Sequence, residues 1–192
     1  MSKFSFEPTN IADVWLVTAQ RHSDPRGEFM ETYERDAFRS AGIVADFVQD
    51  NQSMSTRRGT IRGLHFQTDP AAQAKLVRVL QGEIFDVAVD LRDDSPTYGH
   101  WCGAELSADN GRALFVPRGF AHGFCTRADD TIVAYKVDAP YSKGHEGGIV
   151  WNDVTISVDW PVNDRDVLLS ERDRALPNFD PRGNDSKKMS DA

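Results

Sequence analysis

At 192 residues, 40% of them hydrophobic and 27% charged, the chain has the size and composition to bury one core, and a single domain over 1–192 is expected. A formal charge of -8 argues against a general grip on nucleic-acid backbones, which takes a broad basic face. No run of about 18 apolar residues occurs, and MSKFSFEPTN lacks the charged-then-apolar order of a secretory signal, so a cytoplasmic location is expected.

Taken in chain order, β-rich runs bounded by turn residues are predicted at 15–20, 28–33, 60–67, 75–92, 101–106, 113–116, 131–137, 148–151 and 156–160. The run 75–92 reads as a hairpin with Gln81 and Gly82 at its turn, and with Phe85, Val87, Val89 and Leu91 on one face. Two short helices are predicted, at 34–42 with Gly42 as the stop and at 170–176. Beyond Pro177 the chain has the polar composition of a frayed tail, ending GNDSKKMSDA. Cys102 and Cys125 have neither CxxC nor ligand spacing and are expected as buried free thiols. No internal repeat or linker divides the chain, and so many strands in one domain imply a sandwich or barrel.

Two segments narrow the all-β reading to a jelly roll with a few short helices. Gly59 precedes His65 by six positions, Gln67 follows at two and Lys75 at ten, and Gly82 lies seven further on; Pro117, Gly119 and His122 form PxGxxH. These spacings resemble the two cupin motifs, whose hairpins aim four metal ligands into a barrel. Here Gln67 stands at the second His position and Lys75 at the acidic one. An ammonium among the ligands of a divalent cation would repel it, so no metal and no cofactor is expected. By spacing alone, Lys75 is either a replacement for the metal's charge or a strand lysine that solubilises the sheet.

A longer set of ordered motifs then comes into view: DPRGEFMETY at 24–33, FVQDNQSMS at 47–55, RGLHFQ at 62–67, LFVPRGFAHGF at 114–124, AYKVDAPYS at 134–142 and WND at 151–153. With QAKLVRVLQGEIFDVAVDLR at 73–92 and SPTYG at 95–99, they resemble the dTDP-4-dehydrorhamnose 3,5-epimerase family from about residue 24 to 173. The resemblance implies a homodimeric jelly roll acting on dTDP-4-keto-6-deoxyglucose, on the way to dTDP-L-rhamnose. An alternative within the same fold is inversion at one carbon, or a shift of the keto group, in a related sugar.

Its implied roles follow residue by residue. His65 matches the base, and an imidazole, ordinarily near pKa 6.5, suits removal of a proton beside a ketone. Asp173 matches the carboxylate that orients it, although 162–169 runs one residue long against the pattern. Lys75 would meet the enolate oxygen, and Tyr135 would return a proton on the opposite face; without the motif Tyr135 reads equally as a cross-strand aromatic. Arg26, Arg62, Lys136 and Arg172 look like phosphate and sugar contacts, with surface charge the competing reading for Arg172. Gln49, Asp50, Asn51 and Glu31 resemble nucleotide contacts, Gln67 and His122 pocket residues, and Glu146 a contact that could equally cap a turn. Tyr141 is expected to stack on the thymine ring, beside a Pro140 where the pattern carries a second Tyr.

Overall fold

A computed structural model describes residues 3–181, so the end of the predicted tail, GNDSKKMSDA, lies outside the described residues. The order is β1 (Phe4–Pro8), β2 (Trp15–Ala19), β3 (Arg21–Asp24), β4 (Gly27–Met30), α1 (Arg35–Ser40), β5 (Gln49–Ser55), β6 (Ile61–Gln67), β7 (Lys75–Gln81), β8 (Glu83–Asp90) and β9 (Trp101–Ser107). Then follow β10 (Arg112–Val116), β11 (Phe120–Thr126), β12 (Thr131–Val137), β13 (Glu146–Gly148) and α2 (Glu171–Arg174). The core strands, such as β2, β7, β8 and β12, form where β-branched and aromatic residues meet a partner that buries at least one face, whereas β3, β5 and β13 are polar or glycine-rich and depend on their pairing. A six-stranded sheet, β1-β2-β10-β7-β12-β5, faces a five-stranded one, β13-β6-β11-β8-β9, as a jelly-roll sandwich. Strands β3 and β4 make a separate two-stranded hairpin.

Three apolar clusters account for the layering. Between the sheets, Val77, Leu114 and Val133 meet Ile84, Leu106 and Phe124. Outside the six-stranded sheet, Phe38 of α1 is 1% exposed and packs edge-on to Phe4, Phe6 and Tyr33 at 5.3, 5.2 and 4.9 Å. Outside the five-stranded sheet, Ile61, Val87 and Ala121 lie under Ile149, Ile156 and Trp160. With both faces covered, every residue of β11 is buried. Helix α1 starts where the Glu34 carboxylate accepts the backbone N–H groups of Asp36 and Ala37, and stops before Gly42 at φ +89°.

Several sequence expectations change. The 75–92 run is not a hairpin: β7 pairs with β10 and β12, while β8 pairs with β9 and β11 in the other sheet. Gly82, at φ +81°, is the corner where the chain crosses between sheets, with Thr131 so close that a Cβ would lie 2.5 Å from its Oγ1. Strands β1, β3, β5 and β11 were not foreseen. The strand expected at 148–151 begins earlier, as β13, and 156–160 is irregular chain that covers the outer core through Ile156 and Trp160. Cys102 and Cys125 are buried and free. Among the described residues no helix is long and apolar enough to cross a membrane.

Candidate active site

A cleft of about 330 Å³ lies between the sheets on the side where they end in the edge strands β5 and β13. Its position follows from a close backbone approach between β6 and β11. Gly63, at φ +131°, lies so near β11 that a Cβ there would come within 2.6 Å of the Gly123 Cα. The β11 register shifts between His122 and Phe124, a bulge that re-aims its side chains. As a result His65 and His122 are direct cross-strand partners, and both line the cleft.

Each of these histidines carries its own carboxylate. His65 Nε2 is 2.6 Å from Asp173 Oδ1, on α2. Ser170 caps that helix by accepting the Asp173 N–H, which holds the carboxylate in place. Burial pushes the Asp173 carboxyl up, but the hydrogen bond and charge of His65 outweigh it and hold the group below its usual range. With Nε2 committed to Asp173, Nδ1 of His65 is the nitrogen left to take a proton. His122 Nε2 is 2.8 Å from Asp86 Oδ1, deep in the sheet. Burial pushes this imidazole down, so it is neutral at pH 7 despite Asp86.

The opposite wall belongs to the six-stranded sheet. Lys75 sits at the start of β7, its Nζ 3.4 Å from the His65 carbonyl oxygen. Its dense surroundings push the ammonium down to about 8, with Asp86 and Glu146 pulling the other way. Tyr135 on β12 is pushed up by burial, against a smaller pull from Arg62, so its phenol keeps its proton at neutral pH. The cleft therefore has an imidazole–carboxylate pair on one wall and a phenol and an ammonium on the other. That set can remove a proton, hold a developing oxyanion and return a proton from the far side.

Most of the predicted contact residues gather at the mouth. Gln49 donates from Nε2 to Asn51 Oδ1 at 2.8 Å and accepts the Tyr141 N–H at 3.3 Å. Arg62 is anchored to β5 through Ser55 Oγ and the Met54 carbonyl. Glu146 accepts the Tyr141 hydroxyl at 2.9 Å and pairs with Arg172, so both acceptor and cation face the opening. Burial raises the Glu146 carboxyl, but Arg172 and Tyr141 bring it below its usual range. Gln67 borders the cleft, but its amide is engaged by backbone: it donates to Ala71 and Pro140 and accepts the Ser142 N–H at 2.7 Å. It ties down the loop that presents Tyr141.

Four predicted contacts stand elsewhere. Asp50 and Lys136 pair with each other at 2.8 Å on the outer face of the six-stranded sheet, because alternate strand residues point to opposite sides and Asn51 and Tyr135 take the inner one. Arg26 and Glu31 lie at the β3–β4 hairpin, outside this cleft: Arg26, with its side chain 89% exposed, pairs with Asp24, and Glu31 with Lys3. Asp86 was missed altogether. The only signal for it is one acid inside the apolar run IFDVAV. Among the described residues, no three His, Cys, Asp or Glu side chains gather as a metal site.

Comparison with known proteins bears directly on this arrangement. The family model described as dTDP-4-dehydrorhamnose 3,5-epimerase matches residues 8–181. The chain is 48% identical to the dTDP-4-dehydrorhamnose 3,5-epimerase of Sinorhizobium fredii over 93% of this chain and 91% of that one. It superposes on the Bacillus anthracis enzyme of the same name, solved with TDP and PPi bound, with a TM-score of 0.88 and 50% identity, over 92% of this chain and 99% of that one. The Legionella pneumophila dTDP-6-deoxy-D-glucose-3,5-epimerase, solved with dTDP-4-keto-L-rhamnose, matches at TM-score 0.85 and 38% identity, over 92% and 99% of the two chains.

Proposed function

The chain belongs to the dTDP-4-dehydrorhamnose 3,5-epimerase family, and from that premise we propose how its residues divide the reaction. The enzyme is an isomerase of dTDP-rhamnose biosynthesis that inverts carbons 3 and 5 of dTDP-4-dehydro-6-deoxy-D-glucose, giving dTDP-4-dehydro-L-rhamnose. Both carbons neighbour the ketone, so loss of either proton gives an enolate whose charge rests on the carbonyl oxygen. His65 takes the proton through Nδ1, with Asp173 steadying the imidazolium. Lys75 meets the oxygen and supplies the positive charge that a metal supplies in other cupins, and Tyr135 reprotonates the carbon from the other side.

One observation carries this reading: His65 and Tyr135 line the same cleft from opposed sheets. Inversion requires the proton to leave one face of the sugar and return to the other, and two walls meet that requirement. The test is Tyr135→Phe with dTDP-4-keto-6-deoxyglucose in D₂O, followed by NMR. Deuterium still enters at carbons 3 and 5, while inversion, above all at C5, falls by about 10²-fold or more. Equal loss of exchange and inversion would make Tyr135 a partner in enolate formation, and unchanged inversion would leave it a packing aromatic.

The nucleotide is read at the mouth. Gln49 and Asn51 offer amide groups to a pyrimidine edge, Tyr141 offers a ring face, and Arg62 and Arg172 offer cations to the diphosphate. The enzyme works as a homodimer in the cytoplasm. In support, the β3–β4 hairpin carries Arg26 and Glu31 away from their own cleft, and Phe29 beside them is 64% exposed. A groove of about 300 Å³, with Leu80 and Arg78 in its wall, also lies open on the outer face of the six-stranded sheet. In the dimer the hairpin's Arg26 and Glu31 serve the neighbouring subunit's nucleotide, and the outer face is covered. Light scattering at micromolar concentration is expected to give twice the 21.5 kDa chain mass; a stable monomer would refute the assembly.

A further inference from the structure

We propose that Asp86 is a positioning residue for this reaction: one carboxylate oxygen fixes the tautomer of His122, and the charge of the carboxylate holds the Lys75 ammonium in its protonated form under the substrate ketone. The inference rests on the epimerase reading of the cleft.

Asp86 is 0% exposed in the middle of β8, a strand otherwise built for the core. Its Oδ1 is 2.8 Å from His122 Nε2, while its Oδ2 is buried with no hydrogen-bond partner. A buried carboxylate oxygen left unpaired is costly. A purely structural acid in this strand would have both oxygens bonded, as Asp90 does: its two oxygens take hydrogen bonds from Arg92, Ser95 and Thr97. What offsets the cost at Asp86 is a positive charge nearby, and Lys75 supplies it.

The groups around this cluster come from every adjoining strand. His65 lies on β6, Lys75 on β7, Cys102 on β9 with its thiol pushed up by burial, His122 on β11, Tyr135 on β12 and Glu146 on β13. Of the acids, Glu146 is already paired with Arg172 and Tyr141, and Asp173 with His65. Asp86 is the acid left to balance Lys75. Because the Asp86 carboxylate accepts from Nε2, neutral His122 keeps its Nδ1 lone pair, an acceptor for a sugar hydroxyl beside the reacting carbon. Burial, which pushes this imidazole down, makes His122 an acceptor rather than a second base.

The experiment is Asp86→Asn, with Asp86→Glu as the conservative partner, assayed for kcat and KM from pH 6 to 9.5 together with dTDP binding by calorimetry. Without the buried charge, Lys75 releases its proton earlier. The basic limb of kcat/KM, which reports the free enzyme and is expected near 8 in the wild type, moves down by about one pH unit or more in Asp86→Asn, and Asp86→Glu moves it back toward the wild-type position. Binding of dTDP, which is held at the mouth, changes by less than about 3-fold, since distant independent sites couple weakly. A loss of kcat/KM that is uniform in pH with the limb unmoved, or no change at all, overturns the proposal.

Should Asp86→Asn fail to fold, ¹⁵N-histidine NMR of the wild type decides. His122 is expected as the neutral, Nε2-protonated tautomer throughout pH 7 to 8.5. An Nδ1-protonated ring, or one that becomes cationic in this range, sinks the idea. If the wild type does not turn over the dTDP-4-keto sugar, the epimerase reading fails by itself, independently of the NMR result.

Discussion

Replacing His65 by alanine abolishes both deuterium exchange at the sugar and product formation, by about 10²–10⁴-fold or more in kcat, the range for a positioned acid–base group. The size of the effect follows from the placement of this side chain. It stands on β6 opposite His122, its Nε2 is held by Asp173 at 2.6 Å, and its other nitrogen is free to face the cleft. His122 on the same wall is a poor replacement, since burial pushes its imidazole down and weakens it as a base. Binding of dTDP survives, because Gln49, Asn51 and Arg172 at the mouth are untouched. Asp173→Asn is the graded companion: the base remains but loses its anionic orienting partner, so the loss is smaller and kcat carries it. Exchange that persists in His65→Ala, measured by NMR in D₂O, would show that another group removes the proton.

The second large effect joins catalysis to stability. Lys75→Met removes the donor at the developing oxyanion and lowers kcat by about 10²–10³-fold. The same change makes the fold more stable at neutral pH. Burial brings the Lys75 ammonium from 10.5 down to about 8, so in this range the folded protein pays to keep a proton that the unfolded chain holds freely. A shift of that size corresponds to roughly 3 kcal/mol. That shift is already net of the attraction of Asp86 and Glu146, so about 3 kcal/mol is the upper limit of the gain. The sign also fixes the pH dependence. Below 8 both states hold the proton and the cost is fully present; as pH rises from about 8 to 10.5 the folded state has released it first, and wild-type stability recovers. Urea denaturation at pH 7 and pH 10.5 therefore finds the variant ahead at the lower pH, with the gap narrowing at the higher. A variant less stable than the wild type at pH 7, or a gap indifferent to pH, contradicts the account of Lys75 as a destabilising buried cation.

How much of this could be read from the chain alone depends on which physical signal each residue leaves. His65, Lys75, His122 and Tyr135 were legible because motif spacing on adjoining strands survives any error in strand pairing. The partnering of the strands was not. The Gly82 corner looks like a hairpin turn in sequence, since a positive-φ glycine serves either purpose. Strand β11, FAHGFCT, is buried on both faces and so shows no alternation. Strand β5, QDNQSMS, is polar because its inner face lines the cleft, and its place depends on its pairing with β12 rather than on its own propensity. Asp50 and Lys136 were misplaced by one step of the pleat, which decides whether a side chain faces the cleft or the outside. Asp86 left almost no trace, because one acid in an apolar strand does not disclose that its charge acts on a lysine eleven positions earlier, in the opposing sheet.

The placement of the cleft at the free edges of both sheets divides the site into a stiff half and a yielding half. The proton-handling side chains rise from β6, β7 and β12, each bonded on both sides within its sheet, whereas Gln49, Asn51 and Glu146 sit on β5 and β13, each bonded on one side only. Local opening costs least at such edges and approaches the global unfolding free energy at the centre. Amide exchange in deuterated water is thus expected to finish on β5 and β13 long before β11, and dTDP to slow the edges while leaving β11 as it was. Exchange on β5 as slow as on β11 in the empty protein would contradict this division. Its consequence for the enzyme is that recognition can adapt, by small movements of the rim, to the nucleotide it encloses, while the distance between base and acid is set by strands that do not open.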